Sequence, residues 1–163
     1  MTHLPRRRDI ALVVPGETDY LSLVRDVITA VARKMGFAEE RVGEIEIAVD
    51  EACANIIEHA YGADAQPQQV VVEWRPDTPP LSITLRVSVF FDRIEVRITD
   101  AGPHFSLEEI PDLDVAAFLT SGRRRGIGRY LIRQCMDEVS HRYIDGEGNE
   151  LLLVKYLRGK SSG

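Results

Sequence analysis

The sequence predicts a two-layer α/β sandwich in which helices cover one face of a mostly antiparallel mixed sheet. Three observations support this fold class. Two long amphipathic helical segments come early in the chain, runs of alternating hydrophobicity follow them, and 163 residues suffice for one domain with a buried core. We therefore expect one domain over residues 1–158 and a short flexible tail over residues 159–163.

The first half of the chain predicts one strand followed by two helices. An apolar run over Asp9–Val14, closed by Pro15-Gly16, is typical of a strand. A helix from about Asp19 to Lys34 follows, because apolar residues recur there at three- and four-residue spacings and Gly36 provides a stop. A second helix is predicted over Glu39–Ala60, with an apolar stripe made of Val42, Ile45, Val49, Ala52, Cys53, Ile56 and Ala60.

The second half predicts strands, one long irregular segment and a third helix. Alternation over Ser82–Phe91 and Arg93–Thr99 indicates two strands joined by a tight turn at Asp92. The irregular segment from Asp100 to about Arg125 is long for a compact domain, so we expect a lid over a site. The other predicted elements are a short strand over Val70–Trp74, a proline-rich loop over residues 75–80, a helix from Gly126 to Val139, a turn over residues 145–149 and a last strand over Glu150–Leu157.

Composition and charge exclude several classes of protein. Hydrophobic residues make up 44% of the chain and charged residues 28%, unlike a disordered, collagen-like or membrane-spanning chain. The formal net charge of −6 lacks the basic excess that binding to nucleic acid uses. Cys53 and Cys135 match no disulfide framework and no zinc spacing, so we expect buried free thiols. The sequence contains no export signal or membrane helix, which favours a cytoplasmic protein.

Glu51 and Asn55 lie four residues apart in the second predicted helix, so their side chains are neighbours on one face. That face lies away from the apolar stripe, yet its other residues are the small or apolar Ile47, Ala48 and Ala54. A carboxylate and an amide are costly to bury there unless they serve a ligand. Together they offer oxygen ligands for a hard cation such as Mg²⁺ and a carboxylate that can take a proton. A solvated face without function is the alternative.

Asp100 ends a predicted buried strand and is followed closely by Gly102. A carboxylate fixed at the edge of a sheet could accept a hydrogen bond from an exocyclic amine such as that of adenine. Gly102 would let a ligand approach the backbone closely. Aspartate and glycine are also common turn residues, so an ordinary turn is the alternative interpretation.

A basic, glycine-rich segment over residues 122–128 opens the third predicted helix. Backbone N–H groups and the positive dipole end at a helix start can bind an anion. Arg123, Arg124 and Arg125 add positive charge where phosphates could sit, which is locally distinctive in an acidic chain. A solvated basic loop is the alternative.

The order and separation of these motifs resemble the N, G1 and G2 boxes of the Bergerat-fold (GHKL) ATPases. Two longer segments, IAVDEACANIIEHAY over residues 47–61 and GIGRYLIRQCMDEV over residues 126–139, are similar to the anti-sigma-factor serine kinases of bacteria. This resemblance runs from about Ile10 to Leu157 and implies an α/β two-layer sandwich with ATP bound between the helices and the lid.

The resemblance implies a role for each candidate residue. Glu51 would be the catalytic base of a serine/threonine protein kinase, Asn55 the Mg²⁺ ligand, and Asp100 the acceptor for the adenine amine. The other residues implied in nucleotide binding are Gly102, Arg125, Gly126 and Gly128.

The resemblance also implies the partners. These are an anti-anti-sigma (STAS-domain) protein as substrate and a sigma factor that is sequestered, with Arg25 as the partner-contacting arginine and a homodimer as the assembly. No direct contact with nucleic acid or membrane is expected.

The sequence departs from the family pattern in three places. His104 replaces a glycine, Asn149 stands where the family has a threonine after Gly148, and the stretch over residues 75–87 is longer than usual. The first two bear on nucleotide affinity more than on the fold. Two alternatives to a kinase therefore remain: a non-catalytic ATP-binding regulatory module, and a regulatory domain of a PP2C-type phosphatase pathway protein.

Overall fold

The computed structural model of the protein describes residues 7–60, 82–102 and 127–158, without the side chains of residues 59 and 60. This part of the chain forms five strands and three α-helices, which confirms the predicted fold class. The elements are β1 (Arg8–Pro15), α1 (Leu21–Met35), α2 (Glu39–Ala60), β2 (Ser82–Val89), β3 (Arg93–Asp100), α3 (Ile127–Cys135), β4 (Glu138–Ile144) and β5 (Gly148–Tyr156), with a short 3-10 turn over Thr18–Tyr20.

The five strands form one sheet in the order β1-β2-β3-β5-β4, and every pairing among them is antiparallel. Side chains alternate between the two faces along each strand. On β3, for example, Ile94, Val96, Ile98 and Asp100 are buried while the residues between them are partly exposed. Apolar residues therefore face the helices, and Asp100 continues this inward row at the end of the strand.

Helices α1 and α2 cover the inward face of the sheet as their apolar spacing predicts. Val24, Ile28 and Ala32 of α1 are fully buried, and Gly36 ends the helix in the left-handed conformation with φ of 90°. The α2 stripe is also buried from Val42 to Cys53, and Ile56 packs against it partly buried. Ala48 was expected beside Glu51 on the second face, but it is fully buried and belongs to the core. It does so because the apolar stripe is wider than the predicted one.

Both cysteines are buried free thiols, as predicted. Burial raises the pKa of the Cys53 thiol to about 12 and also raises the pKa of Cys135. Both groups are therefore protonated, unreactive parts of the core at neutral pH.

The third helix is shorter than predicted, and the strand that follows it was missed. Helix α3 ends at Cys135 instead of Val139, and the chain enters β4 at Glu138. Asp137 makes this turn: its N–H donates to the Val154 carbonyl, and its carboxylate accepts from the N–H of Tyr156. These hydrogen bonds join residues that are far apart in sequence, so the sequence did not reveal them. The prediction followed the helical spacing of apolar residues, which continues past Cys135.

Two ionic contacts tie the first half of α2 to Asp137 and to the C-terminal end of β5. Arg41 donates from Nη2 to Asp137 Oδ2 at 3.0 Å and to the Tyr156 carbonyl at 2.8 Å. The Lys155 ammonium, almost fully buried, lies 2.6 Å from Glu44 Oε2 and donates to the carbonyl of Cys135 at the end of α3. A buried ammonium needs such partners, since leaving it unpaired is costly. These contacts fix α2, α3 and β5 relative to one another.

Several predictions fall outside the described residues. These are the strand over Val70–Trp74, the loop over residues 75–80, the lid up to Arg125, the position of His104 and the tail over residues 159–163. Within the described helices, none is long and apolar enough to cross a membrane.

The β4–β5 turn contains two glycines with positive φ, and only one of them lies against neighbouring backbone. Substituting each in turn tests the sheet geometry. Gly146 (φ 81°) has open space around its Cα, whereas a Cβ on Gly148 (φ 103°) would lie 2.0 Å from the carbonyl oxygen of Asp100. Gly146→Ala should cost about 1–3 kcal/mol of unfolding free energy through backbone strain alone. Gly148→Ala should cost more, because it also collides with backbone atoms. Urea unfolding of both variants measures this, and equal losses would contradict the close approach of β5 to β3.

Candidate functional site

The second face of α2 meets the first turn of α3 at Gly128. A Cβ on Gly128 would lie 2.3 Å from Glu51 Oε2 and 3.5 Å from Asn55 Nδ2. Glycine lets the two helices approach with the Glu51 carboxylate in place, because a side chain at 128 would force that carboxylate to move. The structure therefore brings Glu51, Asn55 and Gly128, three of the residues singled out in the sequence, into one cluster.

The Glu51 carboxylate is half-buried and makes no ion pair or hydrogen bond with another described residue. Burial raises the pKa of Glu51, and the neighbouring charge of Asp50 raises it further. A carboxylate with a raised pKa is a stronger proton acceptor than an exposed one. Glu51 thus has the electrostatic character of a general base.

The donor atoms of this cluster suit a hard cation. Asn55 offers an amide oxygen beside the Glu51 carboxylate, and Mg²⁺ takes oxygen ligands. Among the described residues, no three His, Cys, Asp or Glu side chains gather as a metal cage. Mg²⁺ commonly binds through one or two protein ligands together with water and substrate phosphates. The residues present therefore fit Mg²⁺ bound together with a phosphorylated ligand.

Asp100 forms a second, separate polar cluster with Asn149 and Gly102. The Asp100 side chain is buried, and its Oδ1 accepts a hydrogen bond from the Gly102 N–H at 2.8 Å. Asn149, its partner in the β3–β5 register, donates from Nδ2 to the same oxygen at 3.2 Å. A carboxylate so fixed presents a directed acceptor, as a site for an amine requires.

The two clusters lie toward the same end of the molecule. Arg41 and Glu44, in the first half of α2, contact Tyr156 and Lys155 at the C-terminal end of β5. Glu51 and Asn55 follow further along α2, and Asn149 lies at the other end of β5. From Glu44 to Asn55, α2 rises about 16 Å, and from Lys155 to Asn149, β5 spans about 20 Å. The sequence did not reveal this convergence, because it depends on the long-range anchoring contacts.

Helix α3 runs antiparallel to α2 and completes this end. Its C-terminal residue, Cys135, is held by Lys155, and its first turn meets Glu51 at Gly128. The N–H groups and positive dipole end of α3 therefore lie beside the Glu51–Asn55 pair. Arg125 and Gly126 lie outside the described residues.

Arg25 lies next to this region on α1. It donates from Nη1 to Asp50 Oδ1 at 3.0 Å, and its side chain is 39% exposed. Asp50 immediately precedes Glu51, so Arg25 connects the surface of α1 to the helix that carries the candidate base. Its expected contact with a partner protein stays a prediction.

Sequence reasoning missed three residues that shape the candidate site or anchor the helices that form it. Asp50 holds Arg25, and Lys155 anchors the end of α3. Arg129, in the first turn of α3, is half-buried, and burial lowers the pKa of its guanidinium. A lysine inside the apolar last strand was the available signal for Lys155, whereas Asp50 and Arg129 resemble ordinary surface residues in sequence.

Comparison with known proteins agrees with this geometry. Residues 14–155 match the family described as histidine kinase-like ATPase domain. The chain is similar to the serine-protein kinase RsbW of Bacillus subtilis, with 30% identity over 93% of this chain and 87% of that protein. It is also similar to the proteins of the same name from Bacillus cereus (27%, covering 95% and 89%) and Bacillus mycoides (28%, covering 91% and 85%). The family resemblance drawn from the motifs is confirmed.

The contact between Gly128 and Glu51 predicts an interaction between two substitutions. Gly128→Ala should destabilise the protein because its Cβ collides with the Glu51 carboxylate, and Glu51→Ala should remove that penalty. A double-mutant cycle in urea should give a coupling of about 0.5–3 kcal/mol.

Gly43→Ala is the matched control for this cycle, because a Cβ there meets nothing within 4 Å in the same pair of helices. It should stabilise by about 0.5–1 kcal/mol in both the parent and the Glu51→Ala background. If Gly128→Ala changed the stability as Gly43→Ala does, by the same amount with and without Glu51, Gly128 would not contact Glu51.

The raised pKa of Glu51 predicts a pH-dependent effect on stability. Because the folded-state pKa lies above the unfolded one, ionising Glu51 disfavours the folded state as pH rises through both values. Glu51→Gln should therefore match the parent at low pH and become progressively more stable than the parent as pH rises. Thermal unfolding between pH 4 and 8 measures the difference, with Glu40→Gln, exposed on the same helix, as the control for net charge. A constant difference across this range would contradict the burial of the Glu51 carboxylate.

Proposed function

Since the chain belongs to the histidine kinase-like ATPase domain family, we propose that it is an ATP-dependent serine/threonine protein kinase of the anti-sigma type. The observation that carries the proposal is the half-buried Glu51 carboxylate, with its raised pKa, against Gly128 and beside Asn55. The similarity to several proteins named serine-protein kinase supports the reaction class.

The proposed reaction is in-line transfer of the γ-phosphoryl group of ATP. The hydroxyl oxygen of a serine or threonine forms a bond to the γ-phosphorus while the bond to the β–γ bridging oxygen breaks, and ADP leaves. Glu51 takes the proton from the incoming hydroxyl. Its raised pKa supports this role, since a base that is too acidic would hold the proton weakly.

Asn55 is the proposed protein ligand to Mg²⁺. When bound, Mg²⁺ neutralises charge on the phosphates and helps to orient them. Asn55 holds its amide within reach of both Glu51 and the first turn of α3, which supports its placement between base and phosphates.

Asp100 and Gly102 are proposed to bind the adenine end of ATP. The fixed, buried carboxylate of Asp100 would accept from the adenine amine. Gly102, which has no side chain, would let the ring approach the backbone. Gly126, Gly128 and Arg125 are proposed at the phosphate end, where the start of α3 favours negative charge. We place the activity in the cytoplasm, where free thiols such as Cys53 and Cys135 persist.

The partners follow from the kinase proposal. We propose an anti-anti-sigma (STAS-domain) protein as phosphate acceptor, a sigma factor as the sequestered partner, and a homodimer as the assembly. Arg25 is the proposed partner contact. The Arg25 side chain is partly exposed and pairs with Asp50, next to Glu51. A partner that binds Arg25 would therefore lie close to the proposed base.

Substitution of Glu51 and Asn55 should separate binding from chemistry. Glu51→Ala should leave binding of ATP largely intact, because the residue acts on the acceptor hydroxyl, but transfer should fall by about 10²–10⁴-fold. Asn55→Ala should lose Mg²⁺-dependent binding and transfer together, because a metal ligand is removed. The measurements are radiolabelled phosphate transfer to a STAS-domain protein of the same organism and a binding isotherm for each variant.

Glu40→Ala, an exposed glutamate on the same helix, is the matched control and should transfer at the parental rate. Parental activity of Glu51→Ala would refute its role as base. If the parent bound ATP but transferred no phosphate, the protein would instead be a non-catalytic binding module.

A further inference from the structure

Asn149 forms a buried pair with Asp100, and its orientation follows from its partners. Asn149 is 7% exposed and Asp100 is 6% exposed. The Asn149 amide faces Asp100 Oδ1 at 3.2 Å and the Gly102 carbonyl oxygen at 3.4 Å. Because both partners are acceptors, the group that faces them is the NH₂ of the amide.

The hydrogen bonds to Asp100 are unevenly shared between its two oxygens. The bonds donated by the Gly102 N–H and by Asn149 both end on Oδ1. Within the described part of the chain, no such bond ends on Oδ2. The two donors therefore fix the rotation of the carboxylate and leave Oδ2 as its acceptor for a ligand.

The backbone is built to hold this pair. Gly148 has φ of 103°, and its Cα lies so close to the Asp100 carbonyl that a Cβ would reach 2.0 Å. A side chain at 148 would push β5 away from the end of β3. The close approach keeps the Asn149 amide within hydrogen-bond distance of both Asp100 and Gly102.

We propose that Asn149 is a positioning residue that sets nucleotide selectivity by fixing the Asp100 carboxylate with Oδ2 toward the base. This inference rests on the proposed binding of ATP at Asp100. An ionised carboxylate only accepts hydrogen bonds, so the fixed oxygen suits a purine that carries an exocyclic amine. A purine with a carbonyl oxygen at that position would place one acceptor against another, the carboxylate oxygen, and no hydrogen bond would form. Without the amide, the carboxylate can rotate and the discrimination weakens.

A pair of shape-matched variants tests this role. Asn149→Thr keeps a hydrogen-bond donor, whereas Asn149→Val has the same shape without one, and both β-branched residues suit a strand. The measurement is the ratio of the dissociation constants for ITP and ATP, by titration calorimetry with Mg²⁺. Hypoxanthine has a carbonyl oxygen where adenine has the amine, so this ratio reports the Asp100 contact.

The parent and Asn149→Thr should both prefer ATP, and in Asn149→Val the preference should shrink by about three- to tenfold. A merely structural role would weaken both nucleotides equally and leave the ratio unchanged, which would overturn the proposal. Glu147→Ala, exposed in the same turn, is the control for disturbance of the hairpin.

The proposed function and this inference fail differently. A parent that binds neither nucleotide would refute ATP binding itself, and the inference with it. If the parent prefers ATP and Asn149→Val has the same ratio of dissociation constants, only the role of Asn149 is refuted. Urea unfolding of each variant verifies that the compared proteins are folded, and Asn149→Ser replaces Asn149→Thr as the donor-bearing variant if the latter is unstable.

Discussion

The close contact between the first turn of α3 and the Glu51 carboxylate is the constraint on which the candidate site depends. Glycine at 128 permits this contact, since a Cβ there would lie 2.3 Å from Glu51 Oε2 and would displace the carboxylate. In exchange, the N-terminal end of α3 meets the polar face of α2, where Glu51 and Asn55 lie. The candidate base, the amide oxygen and the positive end of a helix are thereby assembled from two elements that are more than 70 residues apart in sequence.

The opposite end of the α2–α3 pair shows how this contact is maintained. There, charged groups are paired: the buried Lys155 with Glu44 and the end of α3, and the partly exposed Arg41 with Asp137. These contacts hold both helices against β5. At the site end, Glu51 is half-buried without such a partner among the described residues, and burial raises its pKa. The anchoring charges are therefore paired, whereas the candidate base has no such partner. Titratable groups with perturbed pKa values are typical of functional sites.

The sequence was a good guide where one local pattern dominated. The α2 apolar stripe predicted a helix over the same residues that the structure has, and the alternation near Asp92 predicted the β2–β3 hairpin. The four-residue spacing of Glu51 and Asn55 placed them together on one face. In each case the observed structure depends on residues that are close together in sequence.

Prediction failed where a distant contact decided the outcome. The apolar spacing of α3 continues past Cys135, but hydrogen bonds from Asp137 to β5 end the helix and start β4. The role proposed for Asn149 was likewise hidden, because the residue stands in place of a family threonine, and its partner Asp100 is 49 residues away. In sequence it was therefore a departure from a motif, whereas in the structure it is a hydrogen-bond donor.

The most direct test of the account is a crystal structure of the protein bound to Mg²⁺ and a non-hydrolysable ATP analogue. We expect the adenine amine at Asp100 Oδ2, the Mg²⁺ on the Asn55 oxygen, and the γ-phosphate between Glu51 and the first turn of α3. A nucleotide bound at another surface, or one bound with its base away from Asp100 and its phosphates away from Asn55, would contradict the central claim that these two clusters form one ATP site.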